Sequence, residues 1–470
     1  QQIHNSNERR ATRAQERRNA IGQPRQTIGK HRGLIILVDF PDTRMSHTRE
    51  EFDAMMNQKD YNLNGSIGSL SDYFYDQSYG QLKIDFDVVG PFTASKSIEY
   101  YGENYNTVYK DIHVAELITE AVNMAHEAGT DFSKYDWTGD GNVDQVFVIY
   151  AGYGEHSPYV PNYSIWPKKS TLEEQHNFYH NCDGPILLDG VTVNTFACAS
   201  EFNGWRKDII GIGVIAHEFS HCLGLPDFYD TNTEHEGAGM GVWSLMDAGH
   251  YNSNAYVPCA YTSYERMFCG WLKPVELTED TRIENMRPIT EAPEAYIIYN
   301  KANQNEYYLL ENHQQSHNSD RYHAWDSKAY GHGMLVVHVD YDEQIWLSLS
   351  VNTNPDLQRM TIIPANNICE YSSEEAIIAG DTYPGSTNNT SLTNISEPKA
   401  KLNNPNSDGE KLMNTPITNI TEENGGISFN FGSKILTDIP VLGEPADVDS
   451  TSFMAHWNEF DNAYSYTLEL

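Results

Sequence analysis

No stretch of about 20 consecutive apolar residues occurs anywhere in the 470-residue chain, so no membrane-spanning helix is expected. Positive charge is scarce. Lys and Arg number 31 against 66 Asp and Glu, a net charge of −35. Such a surface repels phosphate backbones, which excludes nucleic acid as an expected partner. The six cysteines, Cys182, Cys198, Cys222, Cys259, Cys269 and Cys369, include no Cys-x-x-Cys pair. A structural zinc knuckle is therefore not expected. Disulfides stay open for a secreted chain, and their pairing cannot be read from sequence. There is no leader peptide and no initial Met before Gln1-Gln2. The expectation is a signal peptide already removed and a secreted or cell-surface location.

What the chain does contain is concentrated in Ile209 to Asp230, IIGIGVIAHEFSHCLGLPDFYD. Ile209, Ile210, Ile212, Val214, Ile215, Phe219 and Leu223 suit a largely buried helix. His217 and His221 are four apart, so on a helix they point the same way, one turn apart. Two imidazoles placed so can bind one Zn2+. Glu218 lies beside them, placed to take a proton from water and pass it to a leaving amine. Gly224 can adopt the left-handed conformation that ends a helix, and Pro226 prevents its continuation. That turn would return Asp227 to the metal as third ligand and leave the fourth position open for water. The competing reading is a pair of hydrogen-bonded core histidines.

About twenty residues downstream, residues 239–247 read GMGVWSLMD. This run resembles the methionine turn of the metzincin clan of zinc peptidases, which would place Met246 under the metal. Metzincins generally use a histidine as third ligand, and Asp227 stands in its place here. That departure matches one group: the sequence resembles the immune inhibitor A-like family of secreted zinc metallopeptidases. RGLIILVDFPD, SLSDYFYDQSYG, QLKIDFDVVG, EYYLLENHQ, GHGMLVVHVD and DTYPGS extend the resemblance over residues 30–432. It implies an α/β (α+β) zincin/metzincin-like peptidase domain. It also implies that the strand at 145–152 borders the cleft and pairs with extended substrate. Tyr251 is the candidate oxyanion donor, although its offset from Met246 is not the usual one; His250 is a lesser candidate.

Five segments are expected along the chain. Residues 1–32 carry eight basic residues against two glutamates, a net of +6, and read as a propeptide remnant or flexible arm, either a short helix over Glu8–Ala20 or disordered. Residues 33–271 form the zinc peptidase domain. It opens with a buried strand at 33–40, a helix at 69–80, a strand at 81–90 and a helix at 111–128. Residues 272–432 form a β-rich subdomain, with strands at Ala295–Tyr299, Tyr307–Glu311, Gly333–Asp340, Met360–Pro364 and Ile427–Phe431. His176 and His180 read as surface or structural residues, and His313, His332 and His338 as packing or surface residues. Residues 433–440 are a linker, and 441–470 resemble the start of a fibronectin type III sandwich cut short.

Residues 136–144, DWTGDGNVD, place Asp136, Thr138, Asp140, Asn142 and Asp144 at alternating positions around Gly141. This matches the front of an EF-hand loop and points to Ca2+, but Phe147 occupies the position of the closing Glu. The reading is a secreted zinc endopeptidase acting on protein or peptide substrates. Its rivals are an aminopeptidase or other zinc hydrolase, a non-catalytic binding protein with a peptidase-like core, and a latent zymogen. Cleavage preference, disulfide pairing and oligomeric state are not legible.

Overall fold

The computed structural model describes residues 27–105, 110–157, 164–204, 207–232, 237–315 and 325–432, together with Met454. The expected helix over Glu8–Ala20, the linker and the fibronectin-like strands lie outside the described residues.

The run GLIILVDF ends strand β1 (Gly29–Asp39), which starts four residues before that run. Around it a five-stranded sheet is built in the order β2, β1, β3, β5, β4. The other strands are β2 (Leu82–Thr93), β3 (Val146–Tyr150), β4 (Lys168–Thr171) and β5 (Thr195–Ser200). The β1–β2, β1–β3 and β3–β5 pairs are parallel, and β4 runs antiparallel to β5 at one edge of the sheet among the described residues.

Strand alternation assigns each side chain to one of two cores. Ile35, Leu37, Phe147, Ile149, Ala197 and Ala199 face one. Leu34, Ile36, Val38, Val146, Val148, Phe196 and Cys198 face the other. Helix α1 (Arg49–Asn57), α2 (Leu70–Gln77) and α5 (Ile212–Cys222) contribute to the first core; α3 (Val114–Glu127) covers the second, to which α4 (Leu172–Tyr179) adds Leu172. Burying each of the large aliphatics of β1 stabilises the fold by roughly 1.5–3 kcal/mol relative to exposure. Helix α2 starts with a capping box, Ser69 with Asp72, which satisfies two otherwise orphaned N–H groups.

One expectation is corrected here. The strand at 146–150 does not border the cleft; it lies between β1 and β5, with all five residues buried. Of the two edge strands, β2 and β4, it is β4 that lines the cleft.

The segment after Trp271 is β-rich. One five-stranded sheet contains 275–276, 296–300, 303–313, 333–340 and 360–362, and a three-stranded sheet contains 281–286, 417–423 and 426–431. The first core does not stop at residue 271. It continues through Leu309, Leu335, Val337, Trp346 and Met360. No described helix is long and apolar enough to cross a membrane. All six cysteines are free thiols.

Candidate metal centre

Helix α5 is anchored by two glycines at its start. A Cβ on Gly211 would meet the Ala255 carbonyl at 2.3 Å, and one on Gly213 the His250 carbonyl at 2.1 Å. The helix therefore lies against the backbone of 250–255, and the Gly213 N–H donates to the Ala255 carbonyl at 2.8 Å. Its last turn closes at Gly224, whose φ is +105°, a conformation that L side chains rarely adopt. The Leu225 N–H returns to the Ser220 carbonyl at 3.2 Å. This turn brings Asp227 back over the helix.

His217, His221 and Asp227 are the one group of metal-ligating side chains that converge among the described residues, with ligand atoms within 4.8 Å of one another. His217 Nδ1 bonds to the Leu245 carbonyl and His221 Nδ1 to the Leu225 carbonyl, each at 2.8 Å. A carbonyl can only accept, so both Nδ1 atoms carry the proton and both Nε2 atoms are left as donors to a metal. Each Nε2 lies 3.2 Å from Asp227 Oδ1. Ligands ~2.0–2.1 Å from a tetrahedral Zn2+ stand roughly 3.3 Å apart, so these spacings fit the ion. Although close enough for ion pairs, the groups are not aligned for hydrogen bonding: Asp227 Oδ1 is buried without a hydrogen-bond partner. Glu218 Oε2 is in the same condition. Two buried, unpartnered carboxylate oxygens beside two imidazoles are what a dication and a water would satisfy.

The electrostatics agree. Burial alone would lower the His217 pKa, but the Asp227 carboxylate reverses this and lifts it to about 9 in the metal-free site. Burial works in the opposite direction on Asp227; the two imidazoles outweigh it and hold the carboxyl below its usual range. Burial raises Glu218, and the neighbouring His217 and His221 partly offset this.

The loop carrying Met246 supports the site from below. Met246 is fully buried. Its N–H donates to Glu265 at 3.2 Å, and its carbonyl accepts from the Phe228 N–H at 2.8 Å. Asp247 accepts from the N–H groups of Met240, Gly241 and Ala248. The ring of His250 lies 4.4 Å from that of His217, and its Nδ1 bonds to the Asp247 carbonyl. Burial, then the His217 charge, keeps His250 neutral.

The triad opens into a cleft of about 840 Å³. Lys168, Lys169 and Thr171 of β4 line one side. Tyr264, Tyr299, Tyr307 and Trp346 line the other, three of them from outside helix α6 (Ser263–Cys269) and two from the long strand at 303–313 and the strand before it. Tyr229 lines this cleft and Tyr251 does not. Tyr251 packs on His250, with ring centroids 3.8 Å apart, and is half-exposed. Sequence reading passed over Tyr229, although it stands only two residues beyond Asp227.

The acidic loop at 136–144 is arranged differently. Asp136 accepts from the N–H groups of Gly139, Asp140 and Gly141 and from the Thr138 hydroxyl. Asp140 accepts from Asn142, and Asp144 from the Trp137 N–H. Its three carboxylates do not converge within the 4.8 Å that groups the triad. Of the remaining histidines, His313 packs against Trp243 and is buried between Glu311 (2.7 Å) and Asp326 (2.8 Å). His338 pairs with Glu306, and exposed His332 with Glu422.

Comparison with known proteins follows the same residues. The family pattern described as immune inhibitor A peptidase M6, catalytic domain, matches residues 22–271. The chain is 26% identical over 279 residues to pre-pro-metalloprotease PrtV of Vibrio cholerae serotype O1, covering 50% of this chain and 29% of that protein. It is 25% identical over 261 residues to immune inhibitor A of Bacillus thuringiensis subsp. alesti, covering 47% of this chain and 36% of that protein. The chain thus spans about a third of the length of the curated relatives it matches.

Proposed function

The chain belongs to the immune inhibitor A peptidase M6 family, and from that premise we propose that it is a zinc endopeptidase that hydrolyses internal bonds of extended protein or peptide substrates outside the cell. One observation carries the reading: His217, His221 and Asp227 converge with zinc-compatible spacing beside the unpartnered Glu218 carboxylate. Held by His217 Nε2, His221 Nε2 and Asp227 Oδ1, Zn2+ would act as a Lewis acid that polarises the scissile carbonyl and makes water nucleophilic near neutral pH.

The remaining work falls to the chain itself. Glu218 accepts the proton of the attacking water and returns it to the leaving amine. Strand β4, which stands at an edge of the described sheet and lines the cleft, is where an extended peptide would pair as an added strand. A burial-raised phenol in the cleft keeps its proton and can donate to the developing oxyanion. Tyr229 meets that description. Met246 and its loop hold His217 in orientation through the Leu245 carbonyl. Metzincin-like topology is part of this proposal. So is secretion, which rests on the family resemblance and on the pre-pro designation of the Vibrio relative. Calcium at the 136–144 loop is proposed only from its residue alternation, as a brace for which Asp136 would exchange backbone donors for the ion.

The test is casein hydrolysis beside free-N-terminal peptide substrates, with and without a chelator. Chelation should abolish internal cleavage, and added Zn2+ should restore it. Glu218→Gln should lower kcat by roughly 10²–10⁴-fold. Removal of N-terminal residues alone would establish the aminopeptidase alternative, and a fully active Glu218→Gln protein would overturn the mechanism.

A further inference from the structure

Beyond the residues matched to the family, one buried side chain reaches back to the metal site. Asn352 precedes the strand at Met360–Ile362 and is 1% exposed. Its Nδ2 donates to the Phe228 carbonyl at 2.7 Å, across 124 residues of chain, and to the Met360 carbonyl at 2.6 Å. Its Oδ1 accepts from the N–H groups of Arg359 at 2.9 Å and Met360 at 3.0 Å. Two carbonyls at one end and two N–H groups at the other fix the orientation of the amide.

Phe228 directly follows Asp227. The peptide group before it is held by the Met246 carbonyl, through the Phe228 N–H at 2.8 Å. The peptide group after it is held by Asn352. The backbone that aims Asp227 is thus fixed on both sides, once by the methionine loop and once by a segment more than a hundred residues away. Gly224 gives this stretch a turn rather than a helix, so no intrahelical ladder steadies it.

We infer that Asn352 is a positioning residue for Asp227, supplied by the β-rich segment and required for full zinc affinity. The inference rests on the metal triad proposed above. Two further hydrogen bonds join the same segments without using a group of Asp227 or Phe228, although Gly239 packs against the Phe228 carbonyl. The Gly239 N–H donates to Gln358 Oε1 at 2.6 Å, and the Asn232 side-chain amide donates to the Thr353 carbonyl. Gln358 therefore provides a control for mere docking of the two segments.

The full chain is stripped of metal, and its Zn2+ affinity is measured by competition with a chromophoric chelator. Asn352→Ala should weaken binding by about 10–100-fold, the range for outer residues that orient metal ligands. Asn352→Asp, which keeps the acceptor for Arg359 and Met360 N–H and loses the donor to the Phe228 and Met360 carbonyls, should do the same. Gln358→Ala should stay within about twofold of the parent, the scatter expected of a site whose ligand orienters are intact. On the unaltered chain, zinc loading should slow amide exchange at 352–360 together with 227–229. Asn352 variants that bind like the parent, an equal loss in Gln358→Ala, or unchanged exchange at 352–360 would each refute the positioning role. A parent that binds no zinc, or a His221→Ala variant that binds as tightly as the parent, refutes the triad itself, and with it the premise.

Discussion

Asp227 and Tyr229 flank Phe228, and both owe their place to a backbone that turns at Gly224. The ligand half of this arrangement was legible in the sequence because it is local. His217 and His221 are one helical turn apart, and the glycine stop and the aspartate follow within six residues. The tyrosine half was not legible, because residue spacing does not reveal which of two tyrosines a cleft exposes. The structure puts Tyr229 on the cleft and sets Tyr251 against His250. Tyr229→Phe should lower kcat by roughly 10²-fold with little change in KM, as for loss of one oxyanion donor. Tyr251→Phe should leave both within a few-fold. Steady-state kinetics on one peptide decide this, and the reverse ranking would restore Tyr251 to the role.

At the scale of elements, the strand expected beside the cleft was misplaced for a physical reason. VFVIY is apolar at every position, and such a run is buried on both faces in the middle of a sheet. A strand beside an open cleft must instead tolerate water. KKST does so, and its polarity hid it among loops. If β4 pairs with substrate, methylating a backbone nitrogen of a good peptide substrate beside the scissile bond should remove one hydrogen bond, about 0.5–1.5 kcal/mol. That appears as a rise of several-fold in KM. An unchanged KM across a methylation scan would rule out strand pairing.

The strand at 303–313 carries a second element-scale consequence. Burial alone would lower His313, but Asp326 and Glu311 overcome it and raise its pKa to about 10. The unfolded value is near 6.5. A raised folded pKa contributes stability that is complete below about pH 6.5 and is lost as pH rises toward 10. The carboxylates also accept from Ala260 and Ser263 at the start of α6, so the charge ties the β-rich segment to the peptidase half. Thermal melts should show Tm falling between pH 7 and pH 10, and His313→Gln should remove most of that slope. A variant retaining the parent's slope would assign it to other groups.

For the molecule as a whole, the organising fact is a core shared between the family-matched region and the segment after it. Short alternating strands made the β-rich character of residues 272–432 legible. Their contacts with the metal loop were not, because contacts separated by more than a hundred residues leave no local pattern. A chain ending at residue 271 would expose the faces now covered by Leu309, Val337 and Trp346. It should bind a hydrophobic dye and unfold without a cooperative transition. A sharp melt at a Tm near the parent's would instead show an independent peptidase domain. The acidic excess, −35 over the chain, repels polyanions.

All of this converges on one ion at one place. Anomalous diffraction from crystals of zinc-loaded protein, recorded on both sides of the zinc absorption edge, addresses it directly. The expected map has a single strong peak about 2.0–2.1 Å from His217 Nε2, His221 Nε2 and an Asp227 oxygen, with Glu218 close by and not coordinated. A map with no peak there, or with the metal bound while Asp227 faces away, would contradict the account.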